Sequence, residues 1–297
     1  MYTNIIFSIF GNDKRQLTIA ESLAAKGHTV RLCCIDTITD DMSRFKVFLD
    51  WRQAITGCDV AILPLPVSRD GLTLSYTSET VYLKEIMTLA SKSGCKYVLG
   101  GLFPSTVSEN SWENINLIDY YKSEALQLKN ALPSAEGALM IAMEHTDKVI
   151  EGMQVIIGGF GRIGKRLSDI LMKLGAHVTV AARRDESLCE AAMCGYKAVR
   201  IENGELSIEA LQERYDVIFN TVPHLIFSKK FIDKIECNPI YIEIASAPYG
   251  IDLCAAREKG IEVIFAPSIP GKYAPETAGK YIFETITDIL EERGVSL

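Results

Sequence analysis

No run of the chain approaches the roughly 18 consecutive apolar residues that a membrane-crossing helix requires, although 48% of its 297 residues are apolar. A basic excess is also missing: 31 Lys and Arg face 38 Asp and Glu, for a formal charge of −7. That balance gives no footprint for nucleic acid or an anionic membrane, so an anionic ligand must be held by local cations and backbone amides. Histidine is scarce, with four in the chain, and the eight cysteines form no C-x-x-C pair. Neither a metal site nor a disulfide scaffold is expected, and the thiols read as buried free side chains of a reducing compartment. The opening "MYTNIIFSIFGNDKRQ" has an apolar run without a basic segment before it or a small-residue cleavage site after it, which predicts a cytoplasmic protein.

What is present is alternation. "NIIFSIF" (4–10), "HTVRLCCI" (28–35), "CDVAILPL" (58–65) and "KYVLGG" (96–101) read as strands separated by helical stretches, one of them near 78–93. The second half repeats the grammar with "MQVIIGG", "HVTVAA", "KAVRI", "DVIFNTV", "IYIEIA" and "IEVIFAP". Strands alternating with 10–15-residue helical patterns imply parallel sheets wrapped by helices, here twice in tandem. Ser134 suits the N-cap of a connecting helix over 134–150, and the stretch 275–294 reads as a last amphipathic helix. The expected domains are 1–133 and 134–279, with 280–297 packing back on the first.

Gly159-Phe160-Gly161-Arg162-Ile163-Gly164 fits G-x-G-x-x-G, follows an apolar strand and opens a helix. Gly159 permits the turn, Gly161 lets backbone approach a pyrophosphate, and Gly164 lets helix and strand pack closely. The fold class is thus α/β: two Rossmann-like doubly wound parallel-sheet domains with a cleft between them. About 20 residues on, where an NAD site places an acid on the ribose 2′-hydroxyl, the chain reads Ala182-Arg183-Arg184. A small side chain followed by two guanidinium groups selects NADP. Asn220, Thr221, Val222, Pro223 and Ala245 lie on loops after later strands and complete the expected cofactor site. The first domain's loop, "FGNDKRQL", has one glycine and then charges, so it builds no pyrophosphate cradle.

The architecture resembles D-2-hydroxyacid dehydrogenases, but the loop "ASAPYG" supplies no substrate arginine and no histidine follows His224. The motifs "GNDKRQL" (11–17), "PSAEGALMIAMEHTD" (133–147), "GGFGRIG" with "GAHVTVAARR", "NTVP" and "APSIPGKYAPETAG" together resemble the A subunits of dipicolinate synthase from spore-forming bacteria. The resemblance implies NADP-dependent oxidation of a dihydrodipicolinate, derived from the lysine-pathway aldol product, to pyridine-2,6-dicarboxylate. It also implies partnership with a flavoprotein-like B subunit, and action in the mother-cell cytoplasm during sporulation. A homo-oligomer is expected.

A dicarboxylate substrate needs cations. Arg15, Arg69 and Lys272 stand on loops at strand ends, with Asp13 placed to orient Arg15. His145, Ser246 and Lys272 are the candidate catalytic side chains, with Ser246 also placed on the substrate, and Glu136 and Glu276 are alternative proton acceptors along the same seam. Two further readings stay open: an NADP-linked reductase of another small carboxylate, and a nonenzymatic NADP-binding subunit.

Overall fold

The computed structural model describes residues 4–36, 42–107, 112, 114–207 and 214–297. The chain forms two compact units, Met1–Lys129 with Pro275–Leu297, and Asn130–Ala274.

In the first unit the chain runs β1 (Ile6–Phe10), α1 (Lys14–Ala25), β2 (Thr29–Cys33), β3 (Lys46–Phe48), α2 (Trp51–Ile55), β4 (Val60–Ile62), α3 (Leu83–Ser93), β5 (Tyr97–Gly100) and β6 (Asn116–Asp119). The sheet is parallel, in the order β3-β2-β1-β4-β5-β6. That order is the Rossmann order, with the reversal between β1 and β4. Strand β1 is apolar on both faces because helices cover both. Phe7 and Ile9 pack with Ile19 and Leu23 of α1, while Phe10 packs on the other side with Trp51, Ala54 and Ile86. The third helix starts at Leu83, not near 78. Strands β3 and β6, three and four residues long, are too short to show a period in the sequence.

Helix α4 (Glu124–Glu144) runs from the first unit into the second. The sequence predicts a start at Ser134. Instead the helix passes through Pro133, because the preceding "EALQLKNAL" is rich in strong helix formers, eight of its nine residues, that outweigh one interior proline. Ser134 Oγ accordingly donates to the Asn130 carbonyl one turn back at 2.8 Å, as a mid-helix serine does.

The second unit follows as β7 (Gln154–Gly158), α5 (Arg162–Lys173), β8 (His177–Ala182), α6 (Asp185–Met193), β9 (Lys197–Glu202), β10 (Glu205–Leu206), β11 (Val217–Asn220), α7 (Lys229–Lys234), β12 (Ile240–Glu243), α8 (Leu253–Lys259), β13 (Val263–Phe265) and α9 (Ile269–Tyr273). Its sheet runs β10-β9-β8-β7-β11-β12-β13, parallel except for the short β10 hairpin. Val155 and Ile157 face Ala138, Leu167 and Leu171, while Ile156 and Ile218 face Phe231, Ile232 and Ala256. Each such buried aliphatic side chain stabilises the fold by about 1.5–3 kcal/mol.

The last helix, α10 (Pro275–Glu291), lies in the first unit and buries Ile282, Ile286 and Leu290 with Ile19 and Leu23 of α1. Gly279 allows this approach, since a Cβ there would come within 2.7 Å of Thr18 Cβ and 2.9 Å of the Arg15 carbonyl oxygen. The packing begins at Pro275, five residues before the expected 280.

Candidate functional site

The parallel strands of the second unit end on one edge, and their loops build the site there. Gly159 follows β7 with φ +97°, a left-handed conformation that favours glycine. A Cβ on Gly159 would come within 2.6 Å of Val222 Cγ2. Gly164, one turn into α5, is pressed so closely on the Gly159 carbonyl that a Cβ would overlap it. Gly161 differs: it is the N-cap of α5, makes no side-chain cap, and a Cβ there would meet nothing within 4 Å. The head of the helix therefore presents its first amides to open space, which is the arrangement that holds a phosphate.

The first unit supplies the contrast. Its equivalent helix α1 is capped by Asp13, whose Oδ1 accepts from Arg15 N at 3.0 Å. A side-chain carboxylate thus occupies the head of this helix, where α5 has none. Asp36, after β2, is also engaged, accepting from the amide and hydroxyl of Ser78 at 2.9 and 2.7 Å.

Strand β8 ends on buried Ala182, and Arg183 and Arg184 follow it exposed. Arg184 is the N-cap position of α6. The ion pairs at this end are made by Arg200, which the β8–β9 register sets opposite Ala182 and which binds Asp185 and Glu202. Arg200 also donates to the Arg183 carbonyl at 3.4 Å. This third arginine is absent from the site expected from sequence. Its position follows from strand pairing, and the sequence signals it only as an arginine between Val199 and Ile201 in a strand with charged ends.

Two further loops share this edge. Thr221 Oγ1 donates to the Gly158 carbonyl at 2.8 Å, tying 220–223 to the glycine turn. Asn220 is fully buried; its Oδ1 accepts from Val222 N at 3.1 Å, and its Nδ2 donates to Glu243 at 2.7 Å. The 244–250 loop, with a cis Ala247–Pro248 peptide, is anchored on Glu243, while Ser246 and Pro248 are exposed on it. Glu243 is likewise absent from the expected site, because a lone acid in "IYIEIA" gives no hint that its side chain is buried.

Several expected residues lie elsewhere. Arg15 is 4% exposed, and its Nε meets both Asp13 oxygens at 3.0 and 2.9 Å. Its Nη2 binds Asp13 and the Leu65 carbonyl and reaches Tyr76 Oη at 3.3 Å. This guanidinium clamps "GNDKR" to the loop after β4, and its donors are engaged within the first unit and not directed to open space as expected of a substrate cation. Arg69 is exposed and lies over the Tyr76 ring, 5.0 Å from its centroid. The turn that presents Arg69 is fixed by Asp70, which accepts from Ser68, Leu72 and Thr73. The Thr73 hydroxyl first, then the Thr73 and Leu72 amides, hold that carboxyl well below the usual carboxylate range.

His145 lies away from the glycine turn. Its Nδ1 meets Glu262 Oε1 at 3.1 Å, just before β13, so it sits at the amino-terminal edge of the sheet. The chain must enter β7 from that end, which carries the residues after α4 away from the glycine turn. Phe160 turns its ring into the core, edge-on to Tyr196, and contributes only backbone to the glycine turn. Arg162 and Ile163 form the first turn of α5, Ala245 is half-buried, and Pro223 and Lys272 are exposed. Glu136 is exposed, and Glu276 pairs with Lys280 on α10. Of the cysteines, 33, 34, 58 and 95 are buried, but 189, 194 and 254 are exposed. The last three lie in or beside α6 and α8, on the outer faces of amphipathic helices. No helix among the described residues is long and apolar enough to cross a membrane.

A family model for the N-terminal domain of the dipicolinate synthase A subunit matches residues 6–121. The A subunit of dipicolinate synthase from Bacillus subtilis (strain 168) is 26% identical over 301 residues, covering 98% of each chain. The crystal structure of the corresponding A subunit from Bacillus halodurans superposes with a TM-score of 0.80 at 27% identity, covering 98% of this chain and 99% of that one. D-lactate dehydrogenase from Escherichia coli shares the fold, with a TM-score of 0.63 at 13% identity and 98% of each chain covered.

Proposed function

From the likeness of this chain to dipicolinate synthase A subunits along nearly its whole length, we propose that it is an oxidoreductase of dipicolinate synthesis that uses NADP. The observation that carries the reading is the uncapped head of α5 behind Gly159 and Gly161, together with exposed Arg183 and Arg184 past Ala182. The substrate, a dihydropyridine dicarboxylate, loses one hydride and one proton and becomes aromatic; bound NADP supplies the hydride acceptor. Aromatisation provides the driving force, so the chain has chiefly to bind and orient.

The residues present fit that cofactor. The α5 amides and Gly161 take the pyrophosphate, and Arg183 and Arg184 take the 2′-phosphate. Arg200 holds Asp185, the acid next to Arg184 in the chain, in an ion pair, which offsets a charge that would otherwise repel the phosphate. Thr221, Val222, Ala245 and Ser246 line the other half. Of the cations proposed for the substrate carboxylates, Arg69 and Lys272 are exposed and Arg15 is not. A second, B-type subunit is the proposed partner.

Changing Arg183 and Arg184 together to neutral residues is expected to weaken NADP binding by about 1–3 kcal/mol and leave NAD nearly unchanged. Titration of both nucleotides checks this, and an unaltered NADP/NAD ratio would remove the arginines from the 2′-phosphate. Arg69→Ala is expected to lower kcat/KM by about 2–3 kcal/mol while NADP affinity holds. Normal turnover in that variant would place the carboxylate contact elsewhere. The activity itself is tested by supplying the purified chain with the aldolase product and NADP, with and without the B-type partner, and following the pyridine product. Absence of product in both arms, with NADP bound, would sink the enzymatic reading.

A further inference from the structure

Glu243, the last residue of β12, is 1% exposed and has no place in the cofactor contacts above. Four donors converge on its carboxylate. Oε2 accepts from Tyr241 Oη at 3.0 Å and Gly250 N at 2.8 Å, and Oε1 accepts from Asn220 Nδ2 at 2.7 Å and Ala245 N at 3.2 Å. The two amides can only donate. The Asn220 side chain is oriented by Val222, whose N–H points at Oδ1, so its amino group must face Glu243. Three of the four partners can only donate and the Tyr241 hydroxyl can do so as well, so the site offers an ionised carboxylate a full set of donors. Burial holds the Glu243 carboxyl above the usual carboxylate range, and these four hydrogen bonds oppose that shift without cancelling it. All four partners are neutral, so the negative charge is held by dipoles and is not cancelled by a cation.

The place of that charge gives it a use. In a Rossmann unit each half of the sheet serves one mononucleotide, and ligands lie outside the carboxyl ends of the strands. Strands β7 to β9 carry the glycine turn and the arginines, which leaves β11 to β13 for the nicotinamide half. Glu243 stands at the end of the middle strand of that half and anchors both of its loops, 220–223 through Asn220 and 244–250 through Ala245 and Gly250.

We propose that Glu243 is a positioning residue whose buried negative charge, set beneath the nicotinamide end of the unit, favours the oxidised cofactor over the reduced one. The oxidised nicotinamide ring is cationic and the reduced ring is neutral, while their phosphates are identical, so a fixed anion discriminates only through the ring. Two unit charges roughly 12 Å apart at an effective dielectric near 20 interact strongly enough for about a tenfold preference. A chain that removes a hydride gains from this, since it must retain the acceptor form and release the reduced one. The inference rests on the nicotinamide reading proposed above.

The test is the dissociation constants of NADP+ and NADPH for the wild type, Glu243→Gln and Tyr241→Phe. Glu243→Gln removes the charge; Tyr241→Phe removes one donor and leaves the charge. The expected result is about a tenfold shift of the ratio toward NADPH in Glu243→Gln and no shift in Tyr241→Phe. Equal weakening of both nucleotides in Glu243→Gln would reduce Glu243 to a loop anchor and overturn the proposal. If Glu243→Gln does not fold, the wild-type ratio decides: tighter binding of NADP+ is expected, and a clear preference for NADPH overturns it. A wild type that binds neither nucleotide would overturn the cofactor reading itself, and this inference with it.

Discussion

Gly161→Val is expected to keep its fold and lose both NADP and NAD. The backbone at Gly161 has φ −88° and ψ −161°, an extended conformation open to any residue, and its Cβ position is empty to 4 Å. A β-branched side chain is therefore accommodated by the protein, at a cost of no more than about 1 kcal/mol for a poorer N-cap. What it obstructs is the approach of the pyrophosphate to the α5 amides. Hydrogen bonds to a charged group are worth about 1.5–3 kcal/mol each, so losing two should weaken binding by at least roughly 100-fold. Thermal unfolding and nucleotide titration on the same sample separate the two effects, and normal affinity would mean that the phosphates are not held at this turn. Gly164→Ala is the opposite case: its Cβ would overlap the Gly159 carbonyl, so stability should fall with or without nucleotide.

Arg15→Ala is expected to destabilise the first unit by about 3–5 kcal/mol, the usual consequence of removing one partner from a buried ion pair. Asp13 is 7% exposed and would keep only its N-cap bond to the amide of residue 15, leaving a buried carboxylate uncompensated. The Leu65 carbonyl and the Tyr76 hydroxyl would lose their donor as well. Arg15→Lys should recover part of the loss, because an ammonium restores the charge but cannot span Asp13, Leu65 and Tyr76 as the planar fork does. Denaturant unfolding measures this. A loss under about 1 kcal/mol, a cost more usual for an exposed ion pair, together with collapsed turnover would return Arg15 to the substrate.

Much of the fold was legible because its signals are local. The apolar runs of β1, β7 and β12 announce strands buried on both faces, and the glycine spacing at 159–164 marks a strand-turn-helix from within six residues. The first loop was readable in the same way, since "GND" lacks the glycines of a cradle, although the sequence could not show that Asp13 itself plugs the helix head. Short elements such as β3 and the β10 hairpin were lost, because two or three residues cannot display a period.

By itself, then, the sequence determined two doubly wound units, a strand-turn-helix with closely spaced glycines in the second, and a strand end at Ala182 followed by two arginines and no acid. Which charged side chains are free to meet a ligand was decided only by tertiary structure, because that depends on pairing between distant segments. Arg15 is spent on a carbonyl 50 residues away, Arg200 reaches Asp185 across a strand register, and His145 lies at the wrong edge because β7 must be entered from there. Glu243 shows the same thing most plainly: its buried carboxyl group is satisfied only because Asn220, Tyr241, Ala245 and Gly250 arrive together, and no local pattern encodes that convergence.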